Sequence, residues 1–219
     1  MLTHIDVNGK AKMVDVSSKV ESQREAFAGG SVYLGKKILK MVKENEIKKG
    51  DVLNTSKIAG IIAAKKVGEL IPLCHPLNLT FVDIKFQFDD FSERLLIFSH
   101  AKISAQTGVE MEALTAVNIA SLTVYDMCKG VSKSIYIGES FLIKKTGGKS
   151  GLFRYKDKIK GRISDINEDK SIEITGILPE HLENGDILKT ENQQLIVTLK
   201  DNKIFIDKEI DKGVKVWLK

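Results

Sequence analysis

Asp126 and Lys129 stand three residues apart in the run YDMCKG. On a helix such a pair meets, so carboxylate and ammonium can share a proton or a developing charge. As a surface pair alone it contributes a few tenths of a kcal/mol. As a chemical pair, the carboxylate orients or accepts a proton while the ammonium stabilises negative charge. Lys129 acts as a base only where desolvation or other cations outweigh Asp126, because an opposite charge holds a lysine protonated. Upstream in the same run lie Glu110 and Glu112. Glu112 and Asp126 share a helical face to within roughly 40° but lie about 21 Å apart along the axis. Within one unbroken helix they cannot grip one small group. Either they serve opposite ends of a large ligand, or they belong to two sites completed by neighbouring subunits.

The stretch LIPLCHPLNL, residues 70 to 79, sets Cys74 beside His75 between Pro72 and Pro76. Adjacent Cys and His side chains seldom bind one metal, and His4, His100 and His181 show no metal spacing. A cysteine nucleophile needs a base beside it, and Cys74 in an apolar run reads first as a small hydrophobe. Two readings stand: a proline-fixed loop with a satisfied histidine, or a rigid wall whose backbone and His75 ring read a planar ligand.

A third cluster, IKKTGGKSG, ends like a phosphate-binding loop, but the required glycine five positions before Gly148 is Ile143 and no helix follows. Its glycines let amides approach an anion, and Lys144, Lys145 and Lys149 supply charge. The plain alternative is a flexible basic linker. KKGD at 48 to 51, AAKK at 63 to 66 and Arg24 add cations whose default place is the solvated surface.

These groups need elements to position them. ESQREAFAGG reads as a strand with Gly29 and Gly30 at its bend or end. SVYLGKKILKMVKEN places Val32, Leu34, Ile38, Leu39 and Val42 near helical spacing. A second helix starts at Asn54 to Ser56, runs through KIAGIIAAKKVGEL and stops at Pro72. LTFVDIKFQF and RLLIFSHAKISA form a hairpin around DDFSE, with Thr80, Val82, Ile84, Phe86 and Phe88 on one face. The run VEMEALTAVNIASLTVYDMCKG is a long helix closing on Gly130, and SIYIGESFLIKK is a strand. Strand, helix, hairpin, helix, strand is an α+β order: a ferredoxin-like antiparallel sheet with helices on one face.

From about Phe153 the texture becomes charged, β-prone and almost free of alanine, with turns at NEDK, ENGD and KDNK and a hairpin in QQLIVTLKDNKIFID. This predicts a small β-barrel or sandwich over residues 153–219 after a first domain of residues 1–152. At 219 residues and 42% hydrophobic content the chain buries a proper core, which argues against disorder. A net charge of +5 is mild for a nucleic-acid binder and suits a small anion. Two cysteines without CxxC spacing, no apolar leader and no membrane-length apolar run point to a soluble cytoplasmic protein.

Taken in order, HIDVNGKAKMVDVSSK, KGDVLNTSKIAGIIAAKK, LIPLCHPL, TGVEMEALTA, YDMCKG and GGKSG resemble the molybdenum cofactor biosynthesis protein C family, the cyclic pyranopterin monophosphate synthases. The resemblance covers about residues 2 to 152. It implies an enzyme that rearranges a cyclised dihydro-GTP into cyclic pyranopterin monophosphate, releasing pyrophosphate. It also implies a ferredoxin-like fold and a homohexamer, a trimer of dimers with sites between subunits. Carried over by motif, Asp126, Lys129 and Lys49 are catalytic. Leu73, Cys74 and His75, with Glu110, Met111 and Glu112, contact substrate, and Arg24, Lys65 and Lys149 match groups that bind the triphosphate. No resident cofactor or protein-held metal is implied, and a magnesium ion carried on substrate phosphates would leave little trace in the sequence. Two departures stand out: Ser22 where the family pattern has threonine, and the C-terminal module, which the family usually lacks. The competing class is a non-catalytic oligomeric nucleotide-binding regulator, since such folds also serve as ligand sensors.

Overall fold

A computed structural model describes residues 8–156 and 159–219; His4, and with it the start of HIDVNGKAKMVDVSSK, lies outside the described residues. The N-terminal part contains β1 (Ser22–Tyr33), α1 (Gly35–Lys43), α2 (Val52–Ala64), α3 (Val67–Leu70), β2 (Phe81–Asp89), β3 (Arg94–Ala105), α4 (Glu110–Cys128), β4 (Tyr136–Thr146) and β5 (Phe153–Arg154). The strands form one antiparallel sheet in the order β2-β3-β1-β4-β5. Alternation along β1 divides its two faces: Ala26 and Ala28 meet α4, whereas Phe27 faces the other way. No helix among the described residues is long and apolar enough to cross a membrane.

The long helix α4 packs against both α2 and the sheet, and small residues make that position available. Ala113, Ala116, Val117, Ala120 and Val124 are fully buried along it, and Ser99 on β3 donates its hydroxyl proton to the Ala113 carbonyl at 2.7 Å. A Cβ on Gly30 would lie 2.6 Å from Val117 Cγ1. Of the bend or end expected at Gly29 and Gly30, the end does not occur. β1 runs through them to Tyr33, with register shifts against β4 on either side of the pair, and the missing side chain admits the helix.

Three further boundaries differ from the sequence reading. α2 begins at Val52, because Asp51 caps it by accepting from the Asn54 amide at 2.9 Å. It stops at Ala64, and α3 is a separate turn before Pro72. Val32 belongs to β1, not to the first helix.

Beyond β5 come β6 (Lys160–Ile166), β7 (Ser171–Thr175), β8 (Ile187–Lys189), β9 (Gln194–Lys200), β10 (Lys203–Ile206) and β11 (Lys215–Leu218). They close into a barrel in the order β10-β7-β6-β11-β8-β9. Asp201 and Asn202 both take positive φ, 49° and 60°, as a two-residue hairpin turn between twisted strands requires. The barrel is seated on the sheet face opposite the helices. Phe27, Phe98 and Ile143 of the sheet share one apolar cluster with Ile159, Ile177 and Leu182. The first sheet nevertheless extends past residue 152, since β5 pairs with Lys144 and Lys145 of β4.

A Cβ on Gly60 would come within 2.6 Å of the Ala116 carbonyl oxygen and 2.4 Å of Ile84 Cδ1. Gly60→Ala gains about 1 kcal/mol of helix propensity, but overpacking costs about 1–3 kcal/mol. The expected result is a lower urea midpoint at unchanged m-value; a raised midpoint would show that α2 and α4 are not in close contact.

Candidate functional site

Two clusters of chemistry-bearing side chains sit at opposite ends of α4. At its C-terminal end Asp126 is held by two lysines: Lys129 Nζ at 2.7 Å from Oδ1 and Lys49 Nζ at 2.8 Å from Oδ2. Lys49 also donates to the Asp126 carbonyl oxygen at 2.9 Å. Its placement follows from KGD: Gly50 turns the backbone at φ 99°, and Asp51 then caps α2. All three side chains are about half exposed. Hydrogen bonds from Lys129 and then Lys49 hold the Asp126 carboxyl down at about 2, and Asp126 in turn raises Lys129. Asp126 is therefore a carboxylate and Lys129 an ammonium at any ordinary pH.

At the other end a cavity of about 280 Å³ is walled by the 73–75 segment and the start of α4, including Glu110, Met111 and Glu112, and by Val14, Val16 and Lys19. The Cys74 amide bonds back to the Ile71 carbonyl at 3.0 Å. Pro76 packs so tightly on Gly68 that a Cβ there would meet its Cα at 2.8 Å. The loop is thus braced from behind as well as by its prolines. Cys74 is half-buried, not buried as its apolar run suggested, and burial followed by the Glu112 charge pushes its thiol up. Cys128, between the members of the other cluster in sequence, is fully buried and its thiol is pushed by that burial to about 11.

Glu112 is only 3% exposed. Burial raises its carboxyl to about 7, with Glu110 adding to the rise and the Glu112 backbone amide opposing it. Glu110 lies 3.9 Å from Lys145 of β4. Arg24 extends this edge: Nε and Nη2 donate to the carbonyls of Ala105 and Gln106 at 2.9 and 3.0 Å, just before the cavity-lining Thr107. Gly147 and Gly148 lie against Arg24, with φ of 86° and 71°. A Cβ on Gly148 would fall 2.3 Å from an Arg24 guanidinium nitrogen, so this pair must be glycine for conformation and for space.

Of the sequence-derived residues, Leu73, Cys74, His75, Glu110, Met111 and Glu112 are brought together, with Arg24 and the glycine loop at their edge. Lys49, Asp126 and Lys129 form a separate group. Lys65 is the C-cap of α2 and is exposed, as is Lys149; neither makes an ion pair among the described residues. Asp51, Lys19 and the Glu110–Lys145 pair had not been singled out. The Asp directly before a helical run signalled the first; the second comes from an irregular segment with no periodicity to mark it. The GGKSG run leads from β4 into β5, so it is a hairpin loop and not a strand-to-helix phosphate loop.

A domain built of this antiparallel sheet and the helices packed against it is of the α+β class. Residues 13–148 match the MoaC family, and the chain belongs to that family. It is 51% identical over 152 residues to a cyclic pyranopterin monophosphate synthase of Thermoanaerobacter pseudethanolicus, covering 69% of this chain and 96% of that one. With the protein of the same name from Heliobacterium modesticaldum it shares 51% over 150 residues, 68% of this chain and 94% of the other. The molybdenum cofactor biosynthesis protein moc-5 of Caenorhabditis elegans is 53% identical over 150 residues, 68% of this chain but 25% of its own length.

The raised Glu112 carboxyl makes a signed prediction. A carboxyl lifted from 4.5 to about 7 in the folded state leaves stability intact below pH 4.5 and erodes it as pH climbs to 7. Glu112→Gln removes that loss. The variant should match the parent near pH 4.5 and exceed it by up to about 3 kcal/mol at pH 8, read by denaturant unfolding; a difference independent of pH would contradict it.

Proposed function

We propose that this chain is a cyclic pyranopterin monophosphate synthase, an enzyme of molybdenum cofactor biosynthesis that converts cyclised dihydro-GTP into cyclic pyranopterin monophosphate and pyrophosphate. The observation that carries the reading is the Lys49–Asp126–Lys129 constellation, assembled from two distant segments in a chain about half identical to proteins of that name. The strand order β2-β3-β1-β4 with its helical crossovers supports a ferredoxin-like first domain, with residues 153–219 as an appended module.

The reaction closes a cyclic phosphate as a ribose-derived hydroxyl attacks the inner phosphorus and pyrophosphate leaves. Arg24, Lys65 and Lys149 neutralise the triphosphate and the leaving group. The 73–75 wall and the start of α4 hold the base end, where Glu112 carries a proton to share near neutral pH. Opening and reclosing the purine ring needs protons delivered and removed. With its carboxylate clamped between two ammonium groups, Asp126 orients Lys49 and Lys129, and those lysines are the donors.

The two clusters are about 21 Å apart along α4, so a complete site takes one end from each of two subunits. Ile58, Ile62 and Leu122 lie on the outer side of α2 and α4 and are 59%, 50% and 52% exposed. This apolar face supports an antiparallel meeting of two copies about a two-fold axis near Ile119, midway between Glu112 and Asp126. A trimer of such dimers is the assembly we assign.

Asp126→Asn should bind substrate within about threefold of the parent and lose at least about a hundredfold in pyrophosphate release. Turnover at the parental rate would remove Asp126 from the mechanism. Co-refolding inactive Asp126→Asn with inactive Arg24→Met chains should restore activity, because some sites then combine the intact end of each; failure of mixed oligomers to turn over would place both ends in one chain.

A further inference from the structure

The barrel is joined to the sheet by more than apolar contact. Arg154 on β5 is 6% exposed and Asp186, in the turn before β8, is 9% exposed. The two form a bidentate pair, Nη1 to Oδ1 at 2.8 Å and Nη2 to Oδ2 at 2.7 Å, and Nη2 also donates to the His181 carbonyl at 2.5 Å. Beside it Lys144 Nζ lies 2.9 Å from Glu183 Oε1. Lys144 and Arg154 are direct cross-strand partners. Both anchors thus sit at the stem of one hairpin, whose loop is residues 147–152.

That loop carries Gly147 and Gly148 against Arg24, and Lys149 after them. Within it the Gly151 amide bonds to the Gly148 carbonyl at 3.1 Å, and Lys145, which faces Glu110, donates to Ser150. β5 is only two residues long, and one further bond, from the Tyr155 amide to the Ile143 carbonyl at 2.8 Å, prolongs its pairing with β4, a short ladder for such a loop. The ion pair to the barrel supplies what β5 lacks. The Thermoanaerobacter relative has no room for a counterpart, since 152 aligned residues use 96% of it, and the family match itself stops at residue 148.

We propose that the C-terminal barrel is an ordering device for the anion-binding loop: the buried Arg154–Asp186 pair fixes the β4–β5 hairpin so that Lys149 is held beside Arg24 before the substrate phosphates arrive. Arg154 and Asp186 are positioning residues, acting through Lys149 and touching no reacting atom. The inference rests on the reading of Arg24 and Lys149 as phosphate-binding groups. A loop already ordered loses less freedom on binding, so the effect falls on affinity and not on the chemical step.

The test uses the full-length chain. Arg154→Met with Asp186→Leu replaces the buried pair by apolar side chains of similar bulk, which leaves no unpaired buried charge; Arg154→Lys keeps the charge but loses the fork. The emission of Trp217, the chain's single tryptophan, on β11, reports that the barrel remains folded. With native Trp217 emission, amides of residues 147–152 should exchange about tenfold faster in the double variant. Its affinity for tripolyphosphate by calorimetry should fall about tenfold, and KM should rise by a similar factor at a kcat within about twofold. Arg154→Lys should lie between. Unchanged loop exchange would overturn the proposal, and so would faster exchange with unaltered tripolyphosphate affinity. Should the parent release no pyrophosphate from the cyclised nucleotide, the functional reading falls, while exchange and tripolyphosphate binding still decide whether the barrel orders the loop.

Discussion

The seating of α4 is the constraint on which the rest depends. The helix lies this close to both a second helix and the sheet because the residues that face it are small: Gly60 on α2, and Gly30 with Ala26 and Ala28 on β1. Fixed between them, α4 becomes a rod that holds two charged clusters at a constant separation. Its length forbids them from closing on one small molecule within one chain. The same packing turns Ile58, Ile62 and Leu122 outward, so the geometry that separates the clusters also leaves an apolar face on the outer side of α2 and α4.

The two clusters are tuned in opposite directions by opposite means. Asp126 stands in water between two ammonium groups, and their hydrogen bonds, Lys129 first and then Lys49, drive its carboxyl down with their charge adding to the effect. Glu112 is buried near a like charge, and desolvation drives it up. One acid is thereby fully ionised and the other half-protonated near neutrality, two carboxyls set apart by environment alone.

Much of this was legible in the sequence because its cause is local. The i, i+3 spacing of Asp126 and Lys129, the alternation of Val82, Ile84, Phe86 and Phe88, and the turn chemistry of KDNK each depend on neighbours along the chain. What was misread depends on neighbours in space. Gly29 and Gly30 look like punctuation until Val117 is seen over Gly30 and Ile143 over Gly29. The capping role of Asp51 was assigned three residues late, since Asn54, Thr55 and Ser56 are equally good caps by type. Lys19 could not be found without the fold that carries its segment to the cavity. Nor could Arg154 and Asp186, which are ordinary surface residue types in sequence and buried partners in the structure.

The state of the two cysteines has a consequence of its own. A thiol reacts with oxidants and electrophiles as its thiolate, and at pH 7 a group near 11 is ionised in only about one molecule in ten thousand. Cys128 is in addition sealed from solvent, and Cys74 is shifted in the same direction. Oxidants and electrophiles that act on thiolates therefore meet little of their target at either position.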